Sequence, residues 1–335
     1  MAFFSRELGI DLGTMNTVIA EGNQILLQEP TMVAIVVEEQ KMVEWGQSAK
    51  DMYGRVSDSI EVVRPLLHGV IAEYEVTENL LQYLIKKIAG PMLIFRPRII
   101  ITVPYGITSV ESRAVHEAGL GAGSREVYLI KQPLAAALGI DLPIGTPSGN
   151  MIVSLGGGTN QAAVLAMNDI ITAESARTGG LRMDEAIIAY VRKKYGLIIG
   201  QRTAELLKVR IGAALPLEAP LSMEIQGQDQ VTGLPRPVTL TTDDLVEALE
   251  EPLNEIVNMV KRVLEKTPPE LISDIIDRGV ALCGGGANLR SVDKYLTKCL
   301  GLPVYLVDQP TLCTALGAAR ALSMRDLLRR SLQAG

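Results

Sequence analysis

Aromatic side chains make up only 4% of this 335-residue chain, so the apolar 47% is mostly Ile, Leu, Val and Ala. Branched and small apolar residues without bulky rings suit parallel or mixed sheets covered by helices. Histidine is scarcer still, with His68 and His116 alone, and Cys283, Cys299 and Cys313 lack CxxC spacing. A zinc site therefore has little to draw on, and the cysteines read as isolated core residues in a reducing compartment. Basic residues are not in excess. The net charge of −6 argues against nucleic acid as a partner. No stretch approaches the roughly 18 apolar residues of a membrane span. The opening "MAFFSRELGIDLG" is too short in apolar residues for a signal peptide, so a cytoplasmic location is expected.

What the chain has instead is repetition. "GIDLGTMNTVIAEGNQILL" and "VSLGGGTNQAAVLAMNDII" share one order of strand, glycine turn, strand and strand, and they align Asp11 with Ser154, 154 − 11 = 143 residues on. Self-similarity of this kind predicts two related α/β halves, divided at the Pro/Gly/Ser-rich segment "LPIGTPSGN" at 143–150. Apolar spacing predicts helices over 77–88, capped by Thr77, and over 183–195. A longer helix is expected from Asp243, capped by Thr242 and kinked at Pro252.

Three glycine turns follow apolar strands: Gly13-Thr14, Gly156–Thr159 and Gly284–Gly286. Without a Cβ, such backbones approach phosphate oxygens closely and offer them amide donors. The first two lead into strands, and no GK[ST] is present, which excludes the Walker loop and the dinucleotide fingerprint. The "GAGSRE" at 121–126 lacks a third glycine and reads as a helix stop. Two hairpin turns placed alike in repeated halves, with a third near the C-terminus, imply a nucleotide gripped between two domains.

These turns resemble those of the actin-like ATPases, and within that superfamily the chain is similar to the MreB family over nearly its whole length. The likeness rests on "GIDLGTMNT", "VVRPLLHGVIAEYEVTE", "FRPRIIITVPYGIT", "MDEAIIAYVRKKYGLIIG", "RTAELLK", "VTGLPR", "EKTPPEL" and "CGGGANL". It implies an α/β, ribonuclease H-like fold of duplicated domains in four subdomains around a central cleft. The domains would be 1–147 and 148–335, with the C-terminal end packing back on the first. It implies head-to-tail homopolymer filaments, co-assembly with other MreB-family subunits, contact with cell-wall elongation membrane proteins, and a role in cell shape. Carried over position by position, Gly13, Thr14, Met15 and Asn16 line the first phosphate loop, and Gly157, Gly158 and Thr159 the second. Glu205, Leu206, Leu207 and Lys208 fall at the nucleoside, Gly285, Gly286, Ala287 and Asn288 at the base, and Asp11 at a hydrated magnesium beside ATP or ADP.

The cleft departs from the family's pattern. Ser154 stands for its Asp, Asn160 and Gln161 for its Thr-Glu pair, Gln132 for a Glu, and Arg210 for a ribose-side Glu. The degenerate catalytic positions Gln132 and Gln161 leave at most a weak ATPase, because an amide can orient a water but cannot take its proton. Lys131 and Arg182 are candidates to meet phosphates directly, against the plainer reading of solvated surface cations. The family's membrane contact would fall on Leu93, Ile94 and Phe95, apolar beside two arginines, with Phe3 and Phe4 adding to it. The alternative is that 91–95 only leads into the buried strand at 98–103. A pseudo-ATPase scaffold and a small-molecule kinase remain as competing functions; the kinase would need a general-base Asp and an inserted substrate region, and neither is evident.

Overall fold

The computed structural model describes residues 6–90, 96–328 and 331–334. The chain opens with three strands, β1 (Glu7–Leu12), β2 (Asn16–Glu21) and β3 (Gln24–Pro30), paired antiparallel in sequence. A small lobe follows. In it β4 (Val33–Val36) lies between β5 (Lys41–Trp45) and β6 (Ile60–Val63), with helix α1 (Gly46–Met52) against them. A short hairpin, β7 (Leu66–Leu67) and β8 (Val70–Ile71), leads into α2 (Tyr74–Ala89). The sheet then resumes with β9 (Arg98–Val103), α3 (Ser109–Gly121), β10 (Glu126–Lys131) and α4 (Gln132–Gly139). In β9, Ile99 to Val103 are all buried, as expected of a central parallel strand covered on both faces. Thr108 and Glu111 close a reciprocal capping box that starts α3, and Gly123 at φ +100° ends it, so 121–126 is a helix stop.

The second half repeats the plan. Strands β11 (Asn150–Leu155), β12 (Asn160–Ala166) and β13 (Asp169–Ala176) pair antiparallel, and α5 (Gly180–Tyr195) follows. A second lobe holds β14 (Leu197–Ile198), α6 (Gln201–Ile211), β15 (Ser222–Asp229) and β16 (Pro235–Thr241). Helices α7 (Thr242–Glu265) and α8 (Pro269–Arg278) precede β17 (Val280–Cys283) and a 3-10 turn at Gly285–Asn288. Then come α9 (Val292–Leu300), β18 (Val304–Leu306), α10 (Cys313–Ser323) and β19 (Gln333–Ala334), which joins the edge of the first sheet beside β10. Strand order is β10-β9-β1-β2-β3 in one sheet and β18-β17-β11-β12-β13 in the other. The two orders are the same once the elements are matched.

Three helix starts differ from the sequence expectation, and the first is α5, which begins at Gly180 rather than Met183. Helix α2 begins at Tyr74, because Val76 adds a buried contact upstream; Thr77 lies inside, its hydroxyl donating to the Glu73 carbonyl at 2.7 Å. Helix α7 is capped by Thr241, in a box with Asp244, while Thr242 is buried and accepts from Leu221 N–H at 3.0 Å. The helix runs on through Pro252, which is buried.

The halves meet where α10 crosses α4. A Cβ on Gly139 would lie 1.8 Å from the Cys313 carbonyl oxygen, and one on Gly317 would lie 1.7 Å from that of Ala135. Each glycine therefore faces the carbonyl one turn before the other, 317 − 4 = 313 and 139 − 4 = 135. Helix backbones approach this closely only where side chains are missing. Gly317→Ala should force the helices apart and cost about 3 kcal/mol or more, the upper range for overpacking. Chemical denaturation checks this, and a loss below about 1 kcal/mol would show that the crossing yields easily.

Candidate functional site

Between the halves lies a cavity of about 300 Å³. Two of its walls are the hairpin turns that repetition in the sequence singled out. Gly13 N–H donates to the Asn16 carbonyl at 3.2 Å, and Gly156 N–H to that of Thr159 at 2.9 Å. The two bonds are equivalent, 143 residues apart. Both glycines are needed for closure, since a Cβ would sit 2.7 Å and 2.5 Å from those carbonyl oxygens. The turns face one another so closely that a Cβ on Gly157 would meet Met15 Cγ at 2.1 Å, and one on Gly158 would meet Thr14 Oγ1 at 2.3 Å. Thr14 Oγ1 also accepts from Gly69 N–H at 2.9 Å, which ties the β7–β8 hairpin to the first turn. The third turn, Gly284 to Gly286, closes a further side together with Asn288 and Thr314.

The cavity thus brings together Asp11, Gly13, Thr14, Met15, Asn16, Gln132, Ser154, Gly157, Gly158, Thr159, Glu205, Lys208, Gly285, Gly286 and Asn288. Four expected residues do not line it, and one of them, Gln161, is buried beneath the floor. Leu207 and Ala287 are buried in the second core, because alternate faces of α6 and of the 3-10 turn point inward. Leu206 faces outward and lines a separate groove with Arg210, so Arg210 is not at this cavity either. Lys131 and Arg182 are engaged elsewhere. Lys131 Nζ lies 5.1 Å from the centre of the Tyr105 ring, and Arg182 pairs with Glu185 and Glu251 at 3.5 and 3.3 Å. Phe3, Phe4, Leu93, Ile94 and Phe95 lie outside the described residues.

Among the described residues the polar floor has one carboxylate, Asp11, while Glu205 lines the cavity nearer its mouth. Asp11 accepts from the Thr102 hydroxyl at 2.6 Å and from Gln132 Nε2 at 3.2 Å. Its equivalent, Ser154, lies beside Cys283 in the parallel pairing of β11 with β17, so the second half adds no charge at that position. Burial pushes the Asp11 carboxyl above its usual range, against the opposing pull of those two donors. Gln161 is 1% exposed, bonded to Gln132 and to Tyr105 N–H. Farther up the wall, Lys208 Nζ is held by Asp184 at 2.6 Å and donates to the Gly180 carbonyl at 2.7 Å. The mouth is bridged from lobe to lobe: Lys50 pairs with Glu205 at 3.3 Å, and the Tyr53 hydroxyl donates to Gln201 at 2.9 Å.

Sequence reading missed Thr102, Tyr105, Lys50 and Tyr53. Thr102 alone left a trace, as a lone hydroxyl in the apolar run "IIITV". Among the described residues no group of three or more His, Cys, Asp or Glu could hold a metal ion. A divalent ion here would take one protein carboxylate, Asp11, and would need phosphate oxygens and water for the rest. Amide-rich turns with a single buried acid suit that arrangement, and a nucleotide fits the cavity better than a bare ion does.

A five-strand order repeated in two sheets, with paired glycine turns across a cleft, defines an actin-like two-domain protein. The sequence comparisons narrow the class. A family model described as MreB/Mbl protein matches residues 5–330, and the chain belongs to that family. It is 44% identical over 330 residues to the cell shape-determining protein MreB of Escherichia coli K12, covering 97% of this chain and 95% of that one. It is also 44% identical to the cell shape-determining protein Mbl of Bacillus cereus, covering 98% and 100%. The crystal structure of Spiroplasma citri MreB5 bound to ADP superposes with a TM-score of 0.91 at 30% identity, over 97% of this chain and 98% of that one. A MamK double helical filament structure, at 20% identity and a TM-score of 0.80, shares the fold. The chain is thus a cytoskeletal, shape-determining protein of the actin-like class. No helix among the described residues is long and apolar enough to cross a membrane.

The Asp11 shift sets a pH dependence with a definite sign. A carboxyl raised in the folded state binds its proton more tightly there, so folding loses stability as pH rises through the folded pKa. Asp11→Asn keeps an acceptor for Thr102 but has no charge to desolvate. In magnesium-free buffer its Tm should match the parent's near pH 4 and exceed it by a few degrees at pH 8. A parent more stable than the variant at pH 8 would reverse the sign of the argument.

Proposed function

We propose that this chain is a filament subunit that assembles head to tail on the inner face of the cell membrane and helps determine cell shape by organising wall synthesis. Its halves, 1–147 and 148–335, act as the two domains of an ATP- or ADP-binding cleft whose hydrolysis is slow or lost. Other family subunits and cell-wall elongation membrane proteins are its expected partners. One observation carries the cleft reading: two equivalent glycine turns face each other across a cavity with a single carboxylate on its floor. Support comes from the Spiroplasma relative, whose structures hold ADP and AMPPNP.

The backbone amides of residues 14–16 and 157–159 would hold the phosphates, and the α6 wall at Glu205 and Lys208 with the turn at Gly285–Asn288 would hold the nucleoside. Magnesium, when bound beside Asp11, would spread the phosphate charge. The chain's own residues do little for bond cleavage. Gln132 and Gln161 cannot accept a proton from water as a carboxylate does, and both amides are already bonded within the protein. That engagement favours, as a second reading, a scaffold that assembles without turnover.

Calorimetry should detect ATP binding, with phosphate release at least 10-fold below that of a family member carrying the acids. Ser154→Asp, Gln132→Glu and Gln161→Glu together should raise release, since such groups act as a unit, and should make stability depend on magnesium. Fast release by the parent would overturn the disabled-cleft reading. No ATP binding would overturn the nucleotide site itself.

Assembly and membrane contact are tested in one sedimentation series with anionic vesicles, read by electron microscopy. The parent should pellet as filaments with the vesicles. Ile94→Ser with Phe95→Ser should abolish vesicle binding but not assembly, losing about 1.5–3 kcal/mol per buried side chain. A parent that stays monomeric under all conditions would overturn the filament reading.

A further inference from the structure

Gln161 belongs to the second half, on β12, yet both ends of its amide are bonded to the first. Its Oε1 accepts from Tyr105 N–H at 2.7 Å, and its Nε2 donates to Gln132 Oε1. Gln132 Nε2 then donates to Asp11 Oδ1 at 3.2 Å, where the Thr102 hydroxyl also donates at 2.6 Å. The series starts at a group that can only donate, a backbone N–H, and ends at one that, ionised, can only accept. Two amides fill the interval with one orientation each. A carboxylate at 161 would set acceptor against acceptor at Gln132 Oε1. Gln132 cannot turn to relieve it, because its oxygen would then face Asp11. A carboxylate at 132 would face Asp11 directly.

We infer that Gln161 is a strut between the halves, which fixes the cleft floor at one angle whether or not a nucleotide is bound. It is a positioning residue, acting through Gln132 and Tyr105. Buried where water does not compete, each of its bonds is costly to leave unmade. In this chain nucleotide state would therefore be uncoupled from the floor of the cleft, and so from the conformation that assembles. The inference deepens the proposed function and rests on it only for the cleft's ligand, since the strut belongs to the unliganded protein.

Hydrogen–deuterium exchange of the Tyr105 amide, corrected for intrinsic rate, reads the strut. The parent should show the same protection with and without magnesium ATP. Gln161→Glu should lose at least 10-fold at pH 8 in magnesium-free buffer. It should regain protection at pH 5, where a protonated carboxyl can donate to Gln132 Oε1. Gln161→Met, which has no proton to gain, should lose protection at both pH values and covers the case in which the Glu variant does not fold. The other titratable groups nearby are Asp11, Cys283 beside Ser154, Lys131 over the Tyr105 ring, and His68, Glu111, Glu174 and Arg177 around the groove behind Tyr105. All are present in the parent, whose own pH response is subtracted. Parent-like protection in Gln161→Met, or a loss in Gln161→Glu that pH 5 does not reverse, would overturn the strut. A 10-fold change in the parent on adding ATP would overturn its independence from nucleotide. Absence of ATP binding by calorimetry would overturn the nucleotide site, while the pH comparison still decides the strut.

Discussion

Two glycines set against two carbonyls decide how the halves of this molecule meet. Gly139 on α4 and Gly317 on α10 each leave room for the other helix's backbone, in a reciprocal contact that mirrors the duplication of the sheets. Gly9 extends the same logic to the sheet, where a Cβ would lie 2.1 Å from Ala319 N and would lift α10 off β1. Because α4 follows β10 directly and α10 lies on β1, their crossing also fixes the ends of the strands. The β1–β2 and β11–β12 turns therefore face each other across one cavity. Close packing of backbones leaves little freedom at that point.

The duplication has kept its backbone and changed its side chains. Each half closes its turn with the same amide-to-carbonyl bond, and glycine is required there in both. Where the first half places Asp11 beside Thr102, the second places Ser154 beside Cys283. One half thus brings a charge to the floor and the other brings none. Binding of phosphate to backbone amides tolerates that change, since the amides are present whatever the side chains. Handling of metal and water does not tolerate it. Structural likeness and lost chemistry are compatible here because they depend on different atoms.

At the mouth the lobes touch through Lys50–Glu205 and Tyr53–Gln201, whose side chains are partly exposed. Exposed ion pairs of this kind contribute little, about 0–1 kcal/mol. The floor is different. Gln161 is fully buried there and holds Gln132 and Tyr105 in fixed order, while the mouth stays adjustable.

Period and punctuation in the sequence determined the class of fold. Alternating strands around Gly13 and Gly156, an apolar run at 99–103 and a glycine turn after Cys283 are local patterns, and local patterns survive without tertiary context. Helix ends were read less well: Thr77 and Thr242 have the chemistry of caps, but buried contacts upstream moved both starts by a residue or more. The cleft was legible wherever its contribution is backbone, since only glycine serves there. Runs such as 205–208 and 285–288 were read as blocks, although helical spacing turns Leu207 and Ala287 into the core and Leu206 away. Tertiary structure alone decided which polar groups are neighbours. Asp11, Thr102, Tyr105, Gln132 and Gln161 come from five places along the chain, and the direction of each hydrogen bond among them depends on all the others. No spacing rule carries that information, because it exists only once the two halves have closed.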